Sequence, residues 1–420
     1  MAQVRVALGA AGERRQGEHE QGRAMSRQQA ASAGLLAVGV FAVSLLLRAP
    51  ITALPPSLEI ISADLGLSST AAGATTSLPL VCFGVFAFLA PFLILRLGLE
   101  RTMLLLLLPL LLGIVVRSAG GVGALYVGAV LVGVGIAIGN VLLPAFIRAR
   151  FADRLALMMG TYVAVLQISG AVGSAVTAPL EDGLGWGWRP ALAVWALPVA
   201  LLIPLWIVIA RRRTPPTATR APSGLGYVMR RRLTWAITLF MAVQAAAFYT
   251  MLTWIPAHLT AQGVSPVTAG VVLGLFSILG LPGAFLAPRL ATGPRARLFI
   301  VSAYSLQAVA MIGFSVGPGP AIAAAVVAGV SQGAGFSIAL TFIADQPDPH
   351  DVPAISALAQ GVGYLAAAVG PVAIGALHEL TGSWFWPDLV ITATVLFVAV
   401  LGGAIGSRLA QAHDLRRLAS

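Results

Sequence analysis

The sequence predicts an all-α integral membrane protein whose twelve transmembrane helices form two pseudo-symmetric six-helix bundles. Three observations carry that expectation. Of 420 residues, 58% are hydrophobic and 10% charged, with a mean hydropathy of +0.91, whereas soluble chains carry roughly 25% charged residues. Apolar runs of about 20 residues, the length that crosses about 30 Å of hydrocarbon, follow one another almost without interruption. The second half of the chain also repeats a pattern of small residues from the first.

Residues 1–24 are polar, Gly-rich and aperiodic, and lack the apolar core of a secretory signal. They read as a disordered tail or an unused upstream start, because Met25 opens a more ordinary beginning. Apolar runs follow at 33–56, 70–95, 101–118, 121–147, 156–180 and 188–210. The second set spans 233–257, 266–290, 296–317, 319–343, 353–378 and 385–408. Tight turns at Ser118–Gly121 and Gly317–Gly319 separate the third run from the fourth and the ninth from the tenth. Only 211–232 is a long hydrophilic interior stretch: its Pro-rich middle lies between two Arg triplets, and it reads as a linker. It divides a first bundle, 25–210, from a second, 233–410, with a tail at 411–420.

All 26 basic residues are Arg. With the N-terminus placed in the cytoplasm, nearly all fall on inside segments, including Arg96, Arg101, Arg148, Arg150, Arg154 and the linker triplets. Outside loops keep Arg117 and Arg189. The positive-inside rule therefore predicts a multi-pass protein of the cell inner membrane with both termini cytoplasmic. The net charge of +11 reflects topology and contact with anionic lipid rather than nucleic acid.

The repeat supports the six-plus-six division. Gly133 pairs with Gly329, Gly139 with Gly335, Phe146 with Phe342 and Ile147 with Ile343 at one spacing. Ala171 and Gly173 pair with Ala368 and Gly370, and Gly185 with Gly382, one residue further apart. Within 128–162, Gly128, Gly135 and Gly139 fall on one helical face, a small-xxx-small surface suited to close packing in lipid. Asn140 and Pro144 lie on another. Asn140 aligns with Phe336 and has no polar counterpart.

Five stretches, taken in order, resemble a known family: Arg48-Ala-Pro50 with Ile51-Thr52, then 139–162, 187–198, 248–259 and 363–384. Over nearly all of 34–410 the chain resembles the cyanate/nitroimidazole transporter family of the major facilitator superfamily. The resemblance implies a permease driven by a proton or substrate gradient, with a central site between the halves that opens to either side in turn. The superfamily's loop signature G-x-x-x-D-R-x-G-R-R is degraded here. Arg96 and Gly98 remain, but Pro91 and Leu95 replace its Gly and Asp. Arg96, Gly98, Arg101 and Arg148 are the loop and gating candidates, and Glu100 reads as a solvated charge.

Arg48 is the one Arg placed within a span, where an ionisable group is a functional hypothesis. Its planar fork of donors suits an anion; the plainer alternatives are snorkelling or a bond to backbone carbonyls. The buried amides Asn140, Gln167, Gln244, Gln332 and Gln360, with Tyr249 and Tyr364, complete the candidate substrate site. For each amide, helix-to-helix bonding is the plainer role. The resemblance raises Asn140, Gln244 and Gln332, because helices one, four, seven and ten line the superfamily's cavity. Phe248, Tyr249 and Trp254 could stack on a planar solute, and Trp254 fits the outer aromatic belt equally well.

Every acidic residue falls at a span end or outside, and His19, His258, His350, His378 and His413 all read as outside the spans. This disfavours multidrug-type antiport of cations and leaves any coupling proton on the substrate or on an edge carboxylate. A metal centre is not expected, nor a disulfide, since Cys82 stands alone. With no G-x-x-x-x-G-K-[ST] and no dinucleotide fingerprint, no cofactor and no enzymatic activity are expected. The expected partners are a small-molecule substrate and membrane lipid, and the expected state is a monomer. A transporter of a small anion leads. A porter of neutral aromatic heterocycles follows, and a non-transporting receptor comes last.

Overall fold

The computed structural model describes residues 34–211, 225–291, 295–346 and 351–419. The expected tail at 1–24 and the centre of the linker lie outside them. Among the described residues, twelve helices are long and apolar enough to cross a membrane. They are α1 (Gly34–Leu65), α2 (Ser69–Leu97), α3 (Leu99–Ala119), α4 (Val122–Arg150), α5 (Leu157–Glu181) and α6 (Trp188–Ala210). In the second half follow α7 (Arg232–Ala261), α8 (Pro266–Ala287), α9 (Ala296–Val316), α10 (Pro318–Ala344), α11 (Val352–Thr381) and α12 (Phe385–Leu409). The helix begun by α12 continues to Ala419, taking up most of the expected tail.

Small residues set the packing, since lipid offers no hydrophobic drive between helices and close van der Waals contact must hold them. The repeat is visible in what each glycine touches. Gly133 of α4 meets Pro79 of α2, and its counterpart Gly329 of α10 meets the Phe276 backbone of α8. Gly139 meets Leu47 of α1, and Gly335 meets Gln244 of α7. Gly173 of α5 lies on Thr52 of α1 as Gly370 of α11 lies on Thr250 of α7. The expected single glycine face of α4 is split. Gly128 and Gly135 face α3, whereas Gly139 faces α1.

The seam between the bundles runs along α2 against α11 and α5 against α8. Gly73 meets Pro371, Gly84 meets Leu365, Phe88 meets Gly361, and Gly274 meets Ala171. At the end remote from the linker, here the far end, three hydrogen bonds cross the seam. Thr260 donates to Glu59 at 2.7 Å, and Thr70 donates to Glu379 through both its hydroxyl and its amide.

The placement of four polar residues changes. Glu100 is not solvated: it is buried and pairs with Arg150, tying the start of α3 to the end of α4. Arg117 is not in a loop but in the last turn of α3, 2% exposed, donating to the Pro50 carbonyl at 2.6 Å. α7 and α11 outrun their hydropathy signal, so His258 and His378 lie in helices rather than beyond them.

Candidate functional site between the two bundles

The site begins with a break in α1. Pro50 has no N–H for the Leu46 carbonyl, and its ring crowds the preceding turn. The helix is interrupted at Leu47 and Arg48, resuming at Ala49–Thr52 and again at Leu54–Leu65. Ser169 of α5 stitches the gap from both sides. The Ala49 N–H donates to its hydroxyl at 2.8 Å, and that hydroxyl donates to the Leu45 carbonyl. Arg117 then occupies the Pro50 carbonyl. Backbone groups freed in mid-helix are thus satisfied by side chains, as irregular backbone at membrane depth requires.

The break presents Arg48 to an aromatic box. Its guanidinium lies 4.7 Å from the centre of the Phe248 ring, a cation–π contact worth about 0.5–2 kcal/mol. Tyr162, Tyr249 and Tyr364 all lie within its electrostatic reach. The rings brace one another edge to face. Phe83 packs on Tyr364 at 5.4 Å and on Tyr249 at 6.2 Å, Tyr249 packs on Phe248 at 5.0 Å, and Phe276 stacks on Phe248 at 5.7 Å. Helices α1, α2, α5, α7, α8 and α11 all contribute, so the box straddles the seam. Among the described residues Arg48 has no hydrogen-bond or ion-pair partner. The buried Ser277 hydroxyl, close to Arg48 across Gly170, is likewise unpartnered.

Of the residues expected at the site, Arg48, Tyr249 and Tyr364 come together. Gln167 is beside them but committed: it donates to the Ser277 carbonyl at 2.9 Å and holds α5 to α8. Asn140 is half-buried without a partner, and Gly139 beside it packs on Leu47, which puts it at the level of Arg48. Gln360 is half-buried, bonded to Ser356 one turn back. Gln244 and Gln332 are placed elsewhere. They sit inside the second bundle, with amide nitrogens on Met241 at 3.4 Å and Met251 at 3.8 Å, alongside Gln307. Trp254 is also inside rather than in an outer belt, donating to the Pro371 carbonyl at 3.0 Å.

The loop candidates divide similarly. Gly98 adopts φ +82°, a left-handed turn that favours glycine, and joins α2 to α3. Arg96 lies over Phe92 of its own helix at 4.3 Å. Arg101 and Arg148 are exposed, and it is Arg150 that reaches Glu100. Phe83, Tyr162, Ser169 and Phe276 were not distinguishable in the sequence, because an aromatic or a serine in an apolar run carries no periodic signal.

A family model described as Major Facilitator Superfamily matches residues 36–371. The chain belongs to the major facilitator superfamily. It is 35% identical over 375 residues to the uncharacterized transporter YycB of Bacillus subtilis (strain 168), covering 88% of this chain and 93% of that one. It is 31% identical to the 2-nitroimidazole transporter of Escherichia coli (strain K12), with 89% and 95% covered. It is 28% identical to the cyanate transport protein CynX of the same organism, with 81% and 89% covered. Among solved structures, the nucleoside transporter NupG superposes with a TM-score of 0.72 at 12% identity, over 88% of this chain and 99% of that one. That likeness shows the fold. This major facilitator protein is therefore a multi-pass membrane transporter, not an enzyme.

Proposed function

We propose that this transporter moves a small anionic or planar polar solute across the cytoplasmic membrane by alternating access, with Arg48 binding the solute's charge. The observation that carries this reading is an unpartnered guanidinium in an aromatic box on the seam. An Arg at membrane depth costs about 2.5–3.5 kcal/mol or more, and a solute that supplies the missing acceptors offsets that cost. Asn140 and the Tyr249 and Tyr364 hydroxyls hydrogen-bond the solute's edge, and Phe248 backs its plane. The linker and both termini face the cytoplasm, following the Arg distribution. The protein works as a monomer in lipid, with any coupling proton carried by the solute or by an edge carboxylate.

A second reading is favoured by the six rings of the box and by the relative named for 2-nitroimidazole. In it the solute is a neutral heterocycle that stacks on Phe248 and accepts a single bond from Arg48. Counterflow of labelled cyanate and of labelled 2-nitroimidazole into proteoliposomes separates the two. On the anion reading Arg48→Gln and Arg48→Ala both abolish cyanate counterflow. On the heterocycle reading Arg48→Gln keeps 2-nitroimidazole counterflow. Cyanate counterflow at the wild-type rate in Arg48→Ala refutes the anion assignment.

A further inference from the structure

At the far end of the second bundle a buried His–Asp pair plays no part in the central site. His258 of α7 is 5% exposed and Asp388 of α12 is 6% exposed, with Nδ1 3.4 Å from Oδ1. The other ring nitrogen, Nε2, lies 3.2 Å from the Phe314 carbonyl. A carbonyl only accepts, so Nε2 carries a hydrogen. Nδ1 and the carboxylate oxygen would then meet lone pair to lone pair unless one further proton sits between them. Carried on imidazole or carboxyl, that proton leaves the pair neutral overall. Without it the structure would bury an unpaired carboxylate, a costly arrangement in low dielectric.

The pair is wired to the seam through packed rings. Trp384 lies 5.0 Å from His258, stacks on His378 of α11 at 4.0 Å, and lies 5.7 Å from Trp254. Trp254 bonds the Pro371 carbonyl. The Pro371 backbone meets Gly73, and Gly375 meets Ser69, both of α2. Titratable groups facing this end include His378, whose buried Nδ1 has no partner, Glu379 and Glu59, with Arg117, Glu181 and the Asp64–Arg189 pair further off on the first bundle. Glu379 and Glu59 accept from Thr70 and Thr260, the bonds that tie the seam shut.

We propose that His258 and Asp388 form a proton-binding site that, when loaded, holds the far end of the seam closed. The proposal rests on the alternating-access reading and supplies it with an edge carboxylate paired to an imidazole. Losing the proton breaks the Nδ1–Oδ1 contact, releases Trp384 and loosens α11 against α2.

The test is pulsed electron paramagnetic resonance in proteoliposomes, with spin labels on Ala63→Cys and Ala261→Cys in a Cys82→Ala background and no solute present. As pH is raised from about 5 to about 9, the ratio of long to short distances should rise. Release of one linked proton makes that rise about tenfold per pH unit. Asp388→Asn should remain short throughout, because its amide donates to Nδ1 without a titrating proton. His258→Phe, which keeps the ring packing but removes both nitrogens, should give a ratio independent of pH. A flat wild-type profile overturns the proposal, as does a wild-type pH response in either variant. Since no solute is present, such a failure leaves the Arg48 reading standing.

Discussion

Arg48 is positioned by its backbone more than by its own contacts. Pro50 breaks α1, and the Ser169 hydroxyl repairs the break on both sides. Ser169→Ala leaves a buried N–H and a buried carbonyl unpaired, each costing about 1–3 kcal/mol. It should lower both the melting temperature and the transport rate, whereas Ser169→Thr, which keeps the hydroxyl, should recover much of each; an alanine variant as stable and active as wild type would contradict the repair. Arg48→Lys preserves charge but not the planar fork, and a steady-state titration should show weaker apparent affinity for an anion, by about tenfold or more. Arg48 was legible as the one charge deep in an apolar run. Of its aromatic partners, Phe248, Tyr249 and Tyr364 were legible and Phe83, Tyr162 and Phe276 were not, since a ring is ordinary in any span. Gln244 and Gln332 show the converse: an amide in lipid must bond something, and here the nearest groups are methionine sulfurs inside one bundle.

Among the elements, glycine decides which helices touch. Along α8 and α10, Gly333 meets the Gly280 backbone and Gly283 meets the Val330 carbonyl, leaving no room for even one methyl group. Gly333→Val should therefore destabilise the second bundle by about 1–3 kcal/mol or more. Gly160→Ala, where a Cβ would sit 3.5 Å from the Phe285 ring, should be tolerated. Size-exclusion profiles and thermal scans of the two variants check the contrast. The spans themselves were readable, because a run of about 20 apolar residues has few alternatives. Their ends were less so. Hydropathy drops at His258 and His378, but the helical backbone bonding runs on to Ala261 and Thr381. Asp388, Glu100 and Arg117 were hidden as well. Each looked like an edge charge, yet each is buried against a neighbour too distant in sequence for local pattern to reveal.

Over the whole molecule, two bundles packed alike meet along a seam that is bonded at its far end. Thr70→Val removes the hydroxyl that bonds Glu379 at 2.7 Å. The contact is exposed and worth about 1 kcal/mol or less, so the variant should fold normally while far-end cysteine probes react several-fold faster. Unchanged labelling would show that this bond does not hold the seam. The duplication explains why both halves share a scaffold, and the break at Arg48 explains why they differ at the solute: one position after Leu47 the first half carries a guanidinium, whereas Ala245 follows the matching Gln244 in the second. On the proposed reading the solute's charge is met from one side of a symmetric frame, while rings from both sides surround it. The most direct test is ligand-induced stabilisation, since a solute bound to the folded state raises its melting temperature. Purified wild-type protein is scanned against small anions, and the strongest hit is repeated on Arg48→Ala. The hit should stabilise wild type in a concentration-dependent way and leave Arg48→Ala unshifted; equal stabilisation of both would contradict a solute held by Arg48.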